Sequence, residues 1–295
     1  MKELVEVRFR LAKLLGYRNY AAYSLETEMI ANPENAYKLI QELQVGTAKR
    51  LQEEKAELQD ALGTTEPLTQ WQVYYAKNLV AKKKLGGFER STASQFFRVT
   101  AVIRGLLHQG EQFYGVKFKP RPDVKTWHET VLVHDVYDAD RPETLLGRIY
   151  IDHIFRQDKE QHPCAVGMTP GVSGKQFPEG VLIVGLKSQT DATMAYWDAV
   201  SCWHELGHVM HQVLAGQGQR YHRFSGSSVE KDFVEAPSQL AENWLKIPEI
   251  IKSFATNAKG ETISDDLIEK LLRSEEYAKC TELSGKLVLS RLSVG

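Results

Sequence analysis

Apolar residues recur at helical spacing through the first third of the chain. In "ANPENAYKLIQELQVGTAKRLQEEKAELQDALG", Ala36, Leu39, Ile40 and Leu43 fall on one helical face. Asn32 stands in N-cap position, Pro33 at the first helical position with Glu34 behind it, and Gly63 at the close, so the pattern predicts one long amphipathic helix. An earlier helix runs to Leu15 and stops at Gly16. A later one starts after Pro67 and ends in Lys82, Lys83 and Lys84 before Gly86 and Gly87. Cations in a last turn followed by glycines suit a helix C-terminus, and that reading is preferred to a phosphate-binding patch. A further helix is expected over "TASQFFRVTAVIRGLLHQG".

After Gly115 the period shortens. "VKFKPRPDVKTW", "TVLVHDVYDAD", "LLGRIYIDHIF" and "GVLIVGLK" are short β-branched and aromatic runs broken by Pro, Gly and Asp, which predicts three or four strands of a small sheet. "TPGVSGKQFPEG" between the last two lacks the spacing of a phosphate loop and reads as a long connection. Helical spacing then returns from about Asp191 to Ala215, again from a capping-box pattern at Ser227-Ser228-Val229-Glu230, and again from a Ser264 cap through "SDDLIEKLLRSEEYAKC". The fold class expected is mainly α, with a small β-sheet just before a histidine-bearing helix.

Composition narrows the function classes. The 295 residues are 42% hydrophobic and 25% charged, a globular balance. Lys and Arg total 37 against 38 for Asp and Glu, so no net field draws the chain to nucleic acid or to an anionic membrane. Cys164, Cys202 and Cys280 have no paired spacing, which argues against a disulfide framework and for a reducing compartment. No signal peptide or membrane span is read, and a soluble, cytoplasmic, monomeric protein is expected, mitochondrial if a targeting segment preceded it.

The chemistry concentrates in "YWDAVSCWHELGHVMHQVL". Two histidines four apart on a helix share a face, so His204 and His208 can hold one ion between them, and Glu205 lies beside a water on that ion. The alternative is a hydrogen-bonded histidine pair in a core, and a third ligand distinguishes the two. The extended pattern H-E-x-x-H-x-x-G-x-x-H fails, because positions 211 and 214 are His211 and Leu214. Downstream, Asp232, Glu235, Gln239 and Glu242 would line one side of a helix, and spacing leaves Glu235 and Glu242 both open as the third ligand.

The strings "CWHELGHVMHQVL", "RFSGSSVEKDFVEAPSQLAENW" and "GRIYIDHIFRQDKEQHPCAVGMTPG" resemble the catalytic core of the thimet oligopeptidase, neurolysin and oligopeptidase A family of zinc metallopeptidases. The resemblance implies His204, His208 and Glu235 as ligands of one zinc ion and Glu205 as the base that activates water. It also implies Asp232 and Glu242 as groups that orient the ligand imidazoles. His211 and His222 are read as packing or surface residues. It further implies endopeptidase action on short unstructured peptides that add to a sheet edge beside the site. The whole chain is then one partial peptidase domain, with a helical region at 1–115, a sheet region at 116–189 and zinc-binding helices at 190–295. Family members are much longer, and their further helices carry a histidine and tyrosines that contact substrate. The chain is therefore expected to be truncated at both ends, and a catalytically impaired zinc- or peptide-binding fragment is the alternative reading.

Overall fold

The computed structural model describes residues 2–160, 162–184 and 192–294. Backbone contacts divide the chain into two compact units: one holds residues 1–88, 230–232 and 272–295, the other 89–229 and 233–271.

The first unit is helical. It contains α1 (Lys2–Leu14), α2 (Tyr20–Leu25), α3 (Pro33–Leu62), α4 (Gln70–Lys84) and α10 (Lys279–Val294). The punctuation read from the sequence sets their ends. Asn32 accepts a hydrogen bond from the Asn35 amide at 2.8 Å, and α3 closes where Gly63 turns left-handed at φ 67°. Leu58, Ala76, Val80 and Ala278 form its core. Glu54, 2% exposed, caps α10 by accepting hydrogen bonds from the Thr281 amide at 2.8 Å and hydroxyl at 3.0 Å.

The second unit holds a five-stranded sheet made of β1 (Val116–Pro120), β2 (Leu132–Asp138), β3 (Leu145–Asp152), β4 (Cys164–Thr169) and β5 (Glu179–Ile183). The order is β1-β2-β3-β5-β4, with β3 and β5 parallel and every other pair antiparallel. On it pack α5 (Val99–Tyr114) and α6 (Tyr196–Leu214), while α7 (Ala236–Glu242) packs on α6 and α8 (Pro248–Phe254) on α5. Ile149, Ile151, Leu182, Leu206 and Met210 are fully buried in this unit. Trp203 of α6 stacks on Phe254 of α8 at 5.0 Å. The helix α9 (Asp265–Glu275) begins at Ser264 as its cap, with the Leu267 amide 3.3 Å from the serine hydroxyl. It ends at Glu275, short of Cys280, where Ala278 takes a left-handed φ of 62° before α10.

The mainly helical class with a small sheet holds, and besides the earlier end of α9 three local readings change. β4 is an additional strand: Gly167 and Met168 weaken its β-signal, and as the last strand of the sheet it is half exposed. The helix expected over 92–110 is two elements, a short 3-10 helix (Arg90–Phe96) and α5. Phe97 is fully buried and its carbonyl accepts from the Met194 amide, while the Val99 amide donates to the Ala192 carbonyl. Those backbone groups are taken out of any helical ladder. The helix expected from Ser227 starts instead at Ala236, since the Ser227 amide donates to the Gln212 side chain at 3.2 Å and the Lys231 amide to Glu28 at 2.6 Å. The expected start of the histidine helix at Asp191 and the end of the last strand run at 185–187 lie outside the described residues; α6 itself opens at Tyr196, with Asp198 accepting from the Ala195 amide at 3.0 Å.

Candidate metal centre

α6 buries Trp203, Leu206, Met210 and Val213 and turns His204, Glu205 and His208 to a half-buried face. One glycine decides how closely α7 can approach that face. A Cβ on Gly207 would lie 2.6 Å from Cα of Ser238 and 2.8 Å from the Pro237 carbonyl oxygen, so only glycine admits the α7 backbone there. Glu235 stands at the α7 N-terminus, and Ser238 fixes it, its hydroxyl 2.8 Å from Oε2 and 2.9 Å from the carbonyl oxygen of Glu235.

Three donor atoms converge as a result. Nε2 of His204 and Nε2 of His208 are 3.2 Å apart, and Oε2 of Glu235 is 3.2 Å from each. A regular tetrahedron on a triangle of that edge has its centre about 2.0 Å from each vertex, the length of a zinc–imidazole or zinc–carboxylate bond. His204 Nδ1 lies 2.6 Å from Oε1 of Glu242. With the ring proton on that nitrogen, Nε2 presents a lone pair to the centre. Two imidazole lone pairs and a carboxylate oxygen at this separation repel one another unless a shared ring proton or a metal cation sits among them. The donor set therefore fits a single divalent ion of zinc type, and it leaves a fourth position open.

The two carboxylates left open by spacing thus take different places. Glu235 meets both imidazoles, and Glu242 orients one of them from behind. Hydrogen bonding to Glu242 raises the pKa of His204 against the opposing effect of burial. Asp232 does not orient an imidazole. Its carboxylate accepts from the amides of Met29 at 3.0 Å and Ile30 at 2.9 Å, so it anchors backbone in the helical unit. His211 packs edge-on against Phe233 at 6.1 Å, and His222 is exposed, as the packing and surface readings expect.

Glu205 is half-buried within electrostatic reach of His204, His208 and Glu235. Burial pushes its carboxyl up, against the pull of the two imidazoles and a hydrogen bond from the Ala165 backbone of β4. A carboxylate made more basic in this way suits proton transfer near neutral pH. Beside the triad, a cavity of about 240 Å³ is lined by Ala165, Val166 and Gly167 of β4 together with His208, Gln212 and Glu235.

Gln212 is the residue that sequence reasoning passed over. Its side chain donates to the Thr169 carbonyl at 3.3 Å and accepts from Ser227, joining α6, β4 and the 226–227 turn. Gly226, at φ 68°, lies so close to it that a Cβ would overlap the amide. The available signal was spacing, because His204, His208 and Gln212 follow one another at four-residue steps.

The sequence matches peptidase family M3 over residues 1–294. The chain belongs to this family. Relatives include a dipeptidyl carboxypeptidase of Salmonella typhimurium, 27% identical over 98% of this chain, and a thimet-like oligopeptidase of Dictyostelium discoideum, 28% identical over 93%. Oligopeptidase A of Escherichia coli is 28% identical over 94% of the chain. The chain spans 44%, 44% and 42% of the lengths of these three proteins. As a member of family M3, it carries the His204, His208 and Glu235 cluster on the paired helices α6 and α7. No helix among the described residues is long and apolar enough to cross a membrane.

Proposed function

We propose that this chain is the metal-binding part of a zinc endopeptidase that hydrolyses internal bonds of short, unstructured peptides. The observation that carries the reading is the triangle of His204 Nε2, His208 Nε2 and Glu235 Oε2 with 3.2 Å edges, beside the half-buried Glu205. His204, His208 and Glu235 would hold one zinc ion, which when bound would supply Lewis-acid polarisation of the scissile carbonyl and acidify the attacking water. Glu205 takes the proton of the attacking water on its carboxylate and passes it to the leaving amine. Glu242 keeps the His204 proton on Nδ1, and Ser238 holds the Glu235 carboxylate in place.

β4 closes the sheet order beside the triad, so its outer edge can hydrogen-bond an extended peptide main chain with little regard to sequence. The chain is read as one partial peptidase domain, with its helical, sheet and zinc-binding regions at 1–115, 116–189 and 190–295, acting as a cytoplasmic monomer.

The test measures zinc per chain and then the products from an internally quenched peptide of about ten residues, by mass spectrometry, with and without chelator. One zinc per chain and chelator-sensitive internal cleavage are expected. Glu205→Gln keeps the zinc and loses cleavage, and Glu235→Ala loses the zinc. Equal cleavage by wild type and Glu205→Gln overturns the mechanism. Stoichiometric zinc without cleavage supports the zinc- or peptide-binding fragment in its place.

A further inference from the structure

A second, larger cavity lies in the same unit, and none of its lining residues belongs to the metal triad or to the cavity beside it. It has a volume of about 890 Å³, opens to solvent, and is lined by α5, the segments 120–126 and 129–131, β2 and His153. That volume lies in the range typical of small-molecule sites. Its walls are mainly apolar, with Ile103 and Leu107 from α5 facing Val131 and Val133 at β2.

The charged groups in it are mostly of one sign. Arg104, Arg121 and Lys125 line the cavity against a single acid, Glu129. Arg121 is already engaged by Asp123 and Asp135. Arg104 and Lys125 are exposed and make no ion pair among the described residues, so two cationic side chains remain for a ligand. His153 and His134 also line the cavity, each with a buried Nδ1 that has no hydrogen-bond partner, and His134 is only 8% exposed. A buried polar nitrogen left unpaired costs free energy, and a ligand oxygen reaching it relieves that cost. Burial also holds the His134 imidazole below its usual pKa, so at neutral pH it is uncharged and has one N–H to donate.

Apolar walls, unpaired cations and two buried, unpartnered imidazole nitrogens select an anion with a hydrocarbon body. We propose that this cavity is a binding site for a small amphipathic carboxylate, with Arg104 and Lys125 meeting the charge, His134 hydrogen-bonding it and Ile103, Leu107 and Val131 covering the chain. A carboxylate suits the group at Arg104 because the guanidinium fork can grip both oxygens at once.

The experiment is calorimetric titration of the full chain with octanoate and with 1-octanol, before and after removal of bound metal by a chelator. One octanoate per chain is expected, bound at least tenfold more tightly than the alcohol and unaffected by metal removal. Arg104→Gln, an exposed change that leaves the packing intact, weakens octanoate at least tenfold. Leu107→Glu, which puts a carboxylate on the apolar wall beside the ligand chain, weakens octanoate at least tenfold while circular dichroism stays unchanged. Absence of saturable binding overturns the proposal, as does equal binding of the alcohol, or an unaltered affinity in Arg104→Gln or in a folded Leu107→Glu protein. Loss of octanoate binding on chelation also overturns it, because that places the carboxylate on the metal.

Discussion

Gly207 and Ser238 touch backbone to backbone: a single added methyl on Gly207 would sit 2.6 Å from the Ser238 Cα. The contact lies between the two imidazoles in sequence and three residues beyond Glu235, so the spacing of the whole triad depends on it. Gly207→Ala must push α7 away from α6. A loss of about 1–3 kcal/mol in stability is expected from overpacking of this kind, together with at least tenfold weaker zinc binding. Thermal unfolding and competition with a zinc indicator measure the two effects. A variant that keeps wild-type zinc affinity would show that α7 does not set the ligand spacing.

Glu242 makes a narrower prediction. Its carboxylate accepts from His204 Nδ1 at 2.6 Å and does not enter the triangle. Glu242→Gln retains the shape and loses the charge that holds the imidazole proton, so zinc should still bind, but about 10–100-fold more weakly. Loss as complete as that in Glu235→Ala would instead make Glu242 a direct ligand. The Zn–ligand distances and coordination number from X-ray absorption distinguish the cases.

How much of this was legible beforehand follows from the range of the interactions. Asn32, Gly63 and Ser264 act within one helical turn, so their side chains or φ angles announce helix ends directly. His204, Glu205 and His208 are likewise a local pattern on one helix. Glu235 against Glu242 could not be separated by spacing, because the choice depends on how α7 lies over Gly207, a contact between elements. Phe97 and β4 were misread for the same reason. The Phe97 carbonyl is claimed by Met194, and β4 is a strand because it pairs with β5, although its own residues carry little β-preference. Asp232 shows the limit most plainly: its spacing fits a polar helix stripe, but its hydrogen bonds go to amides about 200 positions away in sequence.

Glu54 gives a prediction about the helical unit that is separate from the metal. It is 2% exposed and holds the Thr281 amide and hydroxyl at the start of α10, with Arg50 3.5 Å away. Glu54→Ala leaves those donors without their acceptor, and a stability loss of about 1.5–3 kcal/mol is expected, typical of a hydrogen bond to a charged group. Glu54→Gln should recover part of it by accepting at the same place. Denaturant unfolding curves check both variants, and an unchanged midpoint in Glu54→Ala would remove the capping role.

Asp152 sets the expected acid sensitivity. Its carboxylate is 2% exposed. Burial opposes its charge, but Arg156, Trp127 and Lys159 together outweigh that effect and lower its pKa from 3.8 to about 2. The contacts are Arg156 at 2.9 and 2.5 Å, the Trp127 indole at 2.9 Å and Lys159 at 3.1 Å. Because the folded value lies below the unfolded one, the stabilisation is complete above 3.8 and disappears as the pH falls towards about 2. Asp152→Asn removes the charge at every pH and leaves Lys159 and Arg156 less well compensated, so near neutrality it should cost about 3 kcal/mol, as breaking a buried pair does. The difference in melting temperature between wild type and Asp152→Asn should stay constant down to about pH 4 and then narrow as the wild-type carboxylate takes up its proton. A gap that persists unchanged at pH 2 would show that the Asn variant loses stability through packing, with the carboxylate charge contributing nothing.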